Sequence, residues 1–287
     1  MIIINSRRFD VIHDAIANNL YHDGITVTAS NWQGQDISGL PGMFPVELQN
    51  VVFEAIIPDT IEGARRLVDP NLPWADDHFR ERVGGVPLNP PPSAKTWPFA
   101  QAGHSLHVDK WGMFSHTYPE RFWPKHAGHD ISGYCDSRTL TCEAGPRAGI
   151  RFQLGDLDNV AQLLHDDPAT RQAYLPIWFP EDTGAVEGQR VPCSLGYHFM
   201  IRRGKLHITY LIRAVDFMRH FRDDVYMAMR LAQWMVVAAN VPMRLSVGNL
   251  TMHTMSMHCF EGDLPALGRL VEGIAQKSSQ RLMGAMR

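Results

Sequence analysis

A cysteine follows a proline in Arg190-Val191-Pro192-Cys193-Ser194-Leu195-Gly196-Tyr197-His198-Phe199 and leads into an alternating, strand-like run. A thiol becomes a strong nucleophile when nearby positive charge or a helix dipole stabilises its thiolate. Arg190, Arg202, Arg203 and Arg213 are the cations near in sequence. Spacing alone joins none of them to the sulfur, so a packed thiol stays open beside a nucleophile. The remaining cysteines are Cys135, Cys142 and Cys259. No CxxC pair and no matching HxxxH accompanies the four, so no zinc site and no metal are expected, and in a reducing cytosol all four should be thiols.

The elements that must position Cys193 read from periodicity. Apolar residues recur at helical spacing over 8–22, with Gly24 as a stop. Residues 48–57 read as a strand, and Pro58-Asp59-Thr60 opens a helix over 60–68. The proline- and tryptophan-rich stretch 69–100 reads as mostly irregular, although Trp74, Trp97 and Trp111 argue against disorder around it. A helix over 156–166 precedes a strand at 172–179. Residues 197–202 and 205–213 form a hairpin around Arg203-Gly204. In its second strand Leu206, Ile208, Tyr210 and Ile212 share one face, and His207, Thr209, Leu211 and Arg213 share the other. The run 224–239 is apolar nearly all round, as a buried helix is. A strand over 244–258 and a helix over 263–275 complete the pattern.

No repeat and no linker divides the 287 residues, which predicts one α+β domain over 1–287. No run of 18 apolar residues exists and the N-terminus lacks a signal-peptide pattern, so a cytoplasmic protein without membrane contact is expected. A net charge of −3 gives no basic surface for nucleic acid.

The segments "VPCSLGYHF", "RRGKLHITYLIRAVDF" and "DDVYMAMRLAQW" resemble the core of the thymidylate synthase family. The resemblance extends to "DLDNVAQLLHDDPATRQAYLPIWFPED", "FSHTYPERFW" and "TMHTMSMH", in the family's order. It spans 114–123 and 155–258 and leaves 24–113 divergent. It implies a large mixed sheet packed against helices, with one sheet face forming a homodimer interface. Cys193 falls on the family's nucleophile and Tyr118 on its catalytic tyrosine. Arg213 and Asp216 fall on the arginine and aspartate of its R-S-x-D motif. Arg171 matches an arginine that reaches the neighbouring subunit's substrate phosphate, and His253 matches a sugar-binding histidine. Ser194 and His198 stand beside the nucleophile where the family has histidine and glutamine, and they join the implied substrate-binding set. The family's proton-shuttling glutamate lacks its usual context. Glu81 in "WADDHFRERVGG" is the candidate, because helical spacing puts it beside Asp77 and His78; the same pattern also fits a solvated helix face.

The departures point to a particular substrate. Asp224 lies 11 residues after Arg213, where the family's asparagine reads uracil. A protonated carboxyl gives to N3 of cytosine and accepts from its amine, and an ionised one pairs with an N3-protonated ring. The same residue here marks the cytidylate and deoxycytidylate hydroxymethylases; a helix cap is the structural alternative. The phosphate set is thinned: Gln172 and Ala214 replace an arginine and a serine, and Arg147, Arg151 or Arg190 could compensate. Met255 replaces a sugar-pocket tyrosine, and Arg219-His220 alters a glycine-containing segment assigned to folate contact. The ending "QRLMGAMR" lacks the family's apolar closing tail, which favours quenching by water over hydride. The expected reaction is folate-dependent hydroxymethylation at C5 of dCMP or CMP through a Cys193–C6 adduct, with 5,10-methylenetetrahydrofolate as the one-carbon donor and a pyrimidine nucleoside monophosphate as substrate. Reductive methylation of dUMP or of a cytosine nucleotide is the alternative within the class. A non-catalytic nucleotide-binding relative is the alternative outside it.

Overall fold

Strands that alternate apolar with polar residues need helical cover on one side only, and the architecture follows from that. The computed structural model describes residues 1–32, 35–99, 108, 112–124, 155–183 and 190–285. Its first half contains β1 (Ile2–Ile4), α1 (Phe9–Asp23), β2 (Ile25–Thr26), β3 (Asn31–Trp32), β4 (Gln35–Asp36), β5 (Pro45–Ile56), α2 (Ile61–Val68), α3 (Trp74–Val83), a 3-10 turn (Pro92–Lys95) and α4 (Tyr118–Phe122). Its second half contains α5 (Leu157–Asp166), β6 (Tyr174–Pro176), α6 (Pro180–Thr183), β7 (Ser194–Arg202), β8 (Lys205–Asp216), α7 (Phe221–Ala238), β9 (Ser246–Phe260) and α8 (Leu264–Ala285).

One mixed sheet runs in the order β1-β5-β9-β8-β7-β6, with β2 also paired to β5. β5–β9 and β7–β8 are antiparallel, and β8–β9 is parallel. A parallel neighbour demands a crossover, and α7 supplies it, packed on both β8 and β9. α1 lies on β5, and α2 and α3 lie on α7. Leu206, Ile208, Tyr210 and Ile212 are buried at 1% exposure or less, while His207, Thr209, Leu211 and Arg213 on the opposite face are half-buried. The hairpin turn places Arg203 and Gly204 at φ of 52° and 69°, the left-handed pair that a tight two-residue turn requires.

One expectation holds and one is corrected. Among the described residues the stretch 69–99 is mostly irregular, although it holds the ten-residue helix α3 and the four-residue 3-10 turn. The buried helix begins at Phe221, earlier than its apolar run indicates, since Arg222, Asp223 and Asp224 form a polar first turn.

Candidate active site

A β-bulge aims the chain at Cys193. Ser194 pairs with Ile212 and Gly196 pairs with Leu211, so Leu195 is an extra residue on β7. Gly196 is required there, because a Cβ would lie 2.2 Å from the Tyr174 hydroxyl and 2.7 Å from the Leu175 carbonyl. The Arg213 backbone N–H donates to the Cys193 carbonyl at 2.8 Å. Its guanidinium donates to the carbonyls of Pro192 at 2.9 Å and Val191 at 3.2 Å, which leaves Nη2 3.9 Å from the Cys193 sulfur. Burial pushes the thiol above its ordinary value. Arg213 and Arg190 pull it down, and Asp224 pushes it further up. The half-buried Cys193 is therefore a thiol at rest, with two guanidinium groups ready to stabilise its anion.

Tyr118 is fixed by a capping box at the start of α4. The Thr117 N–H donates to Glu120 at 3.0 Å, and the Glu120 N–H donates back to the Thr117 hydroxyl at 3.3 Å. A buried pair anchors the same turn, with Arg121 donating to both oxygens of Asp182 at 3.0 and 2.9 Å. The Tyr118 hydroxyl bonds Ser194 Oγ at 2.9 Å, and Ser194 Oγ bonds the Tyr210 hydroxyl at 2.6 Å. Burial raises Tyr118 well above a free phenol. Ser194 is fully enclosed, so its hydroxyl serves this phenol chain.

The two aspartates of α7 differ. Asp223 accepts from the backbone and side-chain amides of Asn71, both at 2.8 Å. Asp224 makes no side-chain hydrogen bond among the described residues, and the helix cap is His220, not an aspartate. Burial raises Asp224 to about 7, with Arg82 opposing and Asp223 and Asp216 adding to the rise.

The other expected residues are distributed around this centre. Asp216 accepts from the N–H groups of Met218 and Arg219 and from the Arg219 side chain, so both its oxygens serve the turn into α7. His198 bonds the Arg171 carbonyl at 3.0 Å, and Arg171 is exposed. His253 lies on β9, opposite Val52, and bonds Asn50 at 3.2 Å. Glu81 accepts from the Ser93 N–H at 2.7 Å and from the Ser93 hydroxyl. Burial raises its carboxyl, but His78 and Ser93 outweigh that and hold it below the ordinary range. Arg147 and Arg151 lie outside the described residues, as do Cys135, Cys142 and Trp111. Arg190 does belong to the centre, because its charge acts on Cys193, Tyr118 and Arg213.

Sequence reasoning missed Arg82. It is 4% exposed on α3, with its guanidinium carbon 3.9 Å from the centre of the Tyr118 ring. The signal was present: Ala75, Phe79 and Arg82 form one helical stripe whose other members are apolar.

Comparison with a solved thermostable thymidylate synthase A from Bacillus subtilis gives a TM-score of 0.63 over 92% of this chain and 84% of that one, at 14% identity. The chain has the thymidylate synthase fold. Three archaeal proteins, each called "Putative thymidylate synthase", are similar in sequence. That of Methanosarcina barkeri is 30% identical over 42% of this chain, and the match spans only 54% of its own length. That of Methanothermobacter thermautotrophicus is 29% identical over 57% of this chain and 73% of its own. That of Methanothermobacter marburgensis is 25% identical over 74% and 94%. No family model matches the chain. Within the thymidylate synthase fold, the cluster around Cys193 lies where the β7–β8 hairpin meets α3, α4 and α7. Among the described residues no helix is long and apolar enough to cross a membrane, and no group of three or more His, Cys, Asp or Glu could hold a metal ion.

Proposed function

We propose that this protein transfers a one-carbon unit to C5 of a pyrimidine nucleotide, and that its substrate is a cytosine nucleotide that leaves hydroxymethylated. The observation that carries this reading is the Asp224 carboxyl group, without a hydrogen bond among the described residues and raised to about 7, acting on a thiol that stands 3.9 Å from Arg213. A carboxyl group that exchanges its proton near neutrality can accept from the amine at C4 and give to N3.

Arg213 and Arg190 stabilise the Cys193 thiolate, which adds to C6 and makes C5 nucleophilic. 5,10-Methylenetetrahydrofolate supplies the one-carbon unit when bound. The half-buried Trp97 indole, stacked on His220 at 5.3 Å with 7° between the planes, provides a flat aromatic surface that fits such a pterin. Tyr118 moves protons through Ser194, and Glu81 acts through His78, whose ring meets Tyr118 edge-on at 6.2 Å. Arg213 and Arg190 also bind the substrate phosphate. Arg171, exposed and steadied through His198, extends to the site of a second copy in a homodimer, and His253 contacts the sugar.

The names of the archaeal relatives favour a second reading, reductive methylation to a thymidylate-type product. One experiment separates the two. The protein is incubated with formaldehyde, tetrahydrofolate and each of dCMP, CMP, dUMP and UMP, and product masses are read. A gain of CH2O on a cytosine nucleotide is expected. A gain of CH2 with formation of dihydrofolate selects methylation, and no product from any of the four overturns the proposal.

A further inference from the structure

Arg82 occupies a position where a cation is costly. α3 turns Ala75, Phe79 and Arg82 into the core, and Arg82 is nine-tenths buried or more. Among the described residues its guanidinium has no hydrogen-bond or ion-pair partner, and its enclosed Nε has none either. Arg121, Arg65 and Arg230, by contrast, are paired: Arg121 is held by Asp182, and Arg65 and Arg230 are held by Asp76. A buried guanidinium left unpaired contributes nothing to the fold that an apolar residue would not, so its presence marks a site. Its surroundings belong to the centre described above. The Tyr118 ring lies 3.9 Å away. The charge of Arg82 also acts on Asp224, which is equally without a hydrogen bond among the described residues, and on Asp223.

We propose that Arg82 is a positioning residue for the base: it seats Tyr118 on the plane of its guanidinium and sets the charge that Asp224 presents to the pyrimidine edge. The role for the base rests on the proposed function; the coupling of Arg82 to Tyr118 and Asp224 does not. A guanidinium on an aromatic face fixes the ring's plane, and the hydroxyl of that ring is what bonds Ser194. Several groups act on Asp224 or feel its charge. Asp223 lies on its own helix, Asp216 at the end of β8 and Cys193 before β7, and the phenols of Tyr118, Tyr197 and Tyr210 share its surroundings. The charge of Arg82 favours ionisation of Asp224, and Asp223 and Asp216 both oppose it.

The test is a carboxyl titration in protein labelled with [13C]aspartate, the Asp224 resonance being the one missing from Asp224→Asn. In Arg82→Met the midpoint should rise above that of the wild type by about one pH unit or more. In Arg82→Lys, which keeps the charge, it should stay close to the wild-type midpoint. An unchanged midpoint in folded Arg82→Met overturns the proposal, and so does a lysine variant that shifts as far as methionine. Arg82→Gln replaces Arg82→Met if the latter does not fold. This readout needs no turnover, so an absence of activity on every nucleotide would reject the proposed function and leave Arg82 still under test. If turnover is found, Arg82→Lys should lower kcat more than it changes KM, because an ammonium cannot lie flat on Tyr118. Equal kcat in the two proteins counts against the seating of Tyr118.

Discussion

Replacing Arg213 by methionine should make Cys193 a poorer nucleophile, by an amount that the geometry bounds. Nη2 lies 3.9 Å from the sulfur, and a unit charge pair at that distance is worth about 1 kcal/mol in water-like surroundings and about 4 kcal/mol at an effective dielectric of about 20. At about 1.4 kcal/mol per pH unit, the thiol midpoint should rise by roughly 1–3 units. The sign follows from the thiolate being the form that Arg213 stabilises: without the arginine, deprotonation moves to higher pH. The assay is the pH dependence of alkylation by iodoacetamide, read on the Cys193 peptide by mass spectrometry so that the buried Cys259 does not interfere. Arg213 also holds the carbonyls of Val191 and Pro192, so Arg213→Lys is the control for loop position. Lysine should recover a large part of the midpoint and methionine none of it. Identical midpoints in wild type and Arg213→Met would refute the electrostatic account of this thiol.

Asp224→Asn should shift preference from cytosine toward uracil nucleotides, measured as the ratio of kcat/KM values. The same variant should become more stable relative to the wild type as pH rises. A carboxyl raised to about 7 in the folded state binds its proton more tightly there than when unfolded, so wild-type stability falls between about pH 4 and 7. Removing that group should flatten the loss, by up to roughly 4 kcal/mol at pH 8, seen in denaturant titrations at several pH values; equal slopes would contradict it. Asp182→Ala should cost about 3–5 kcal/mol by breaking its buried two-bond ion pair with Arg121, and a Tm within a degree of wild type would contradict that. If Arg171 serves a neighbouring site, mixing inactive Cys193→Ala with Arg171→Ala protomers should restore about a quarter of the wild-type activity, since half the dimers would hold one complete site. No recovery after subunit exchange would place Arg171 outside that role.

The sheet was legible because its signal is local. Leu206, Ile208, Tyr210 and Ile212 alternate with polar residues, and burial on one side follows directly. The turn at Arg203-Gly204 is likewise short-range. Contacts across long sequence separations were not legible. Asp223 rather than Asp224 is tied to Asn71, 152 residues away, and that division of labour leaves Asp224 unbonded. Ser194 was expected at the substrate, and the bonds of its hydroxyl to Tyr118, 76 residues away, and to Tyr210 could not be read from its spacing. Glu81 was read as a carboxylate beside His78, which it is at 3.5 Å, but Ser93 from the following turn takes its oxygens. Arg82 fell in a segment whose helical spacing was read only around Glu81 and as a solvated face, so its inward position beside Ala75 and Phe79 went unseen.

The central claim is that the Cys193 sulfur bonds C6 of a cytosine ring. It is tested by incubating the protein with formaldehyde, tetrahydrofolate and the 5-fluoro analogue of CMP or dCMP, then mapping adducts by peptide mass spectrometry. Fluorine cannot leave C5 as a cation, so the reaction should stall with the nucleotide bonded to the Cys193 peptide. Cys193→Ala should carry no adduct while remaining folded. An unmodified Cys193 with the cytosine analogues, or an adduct on another cysteine, would contradict the account.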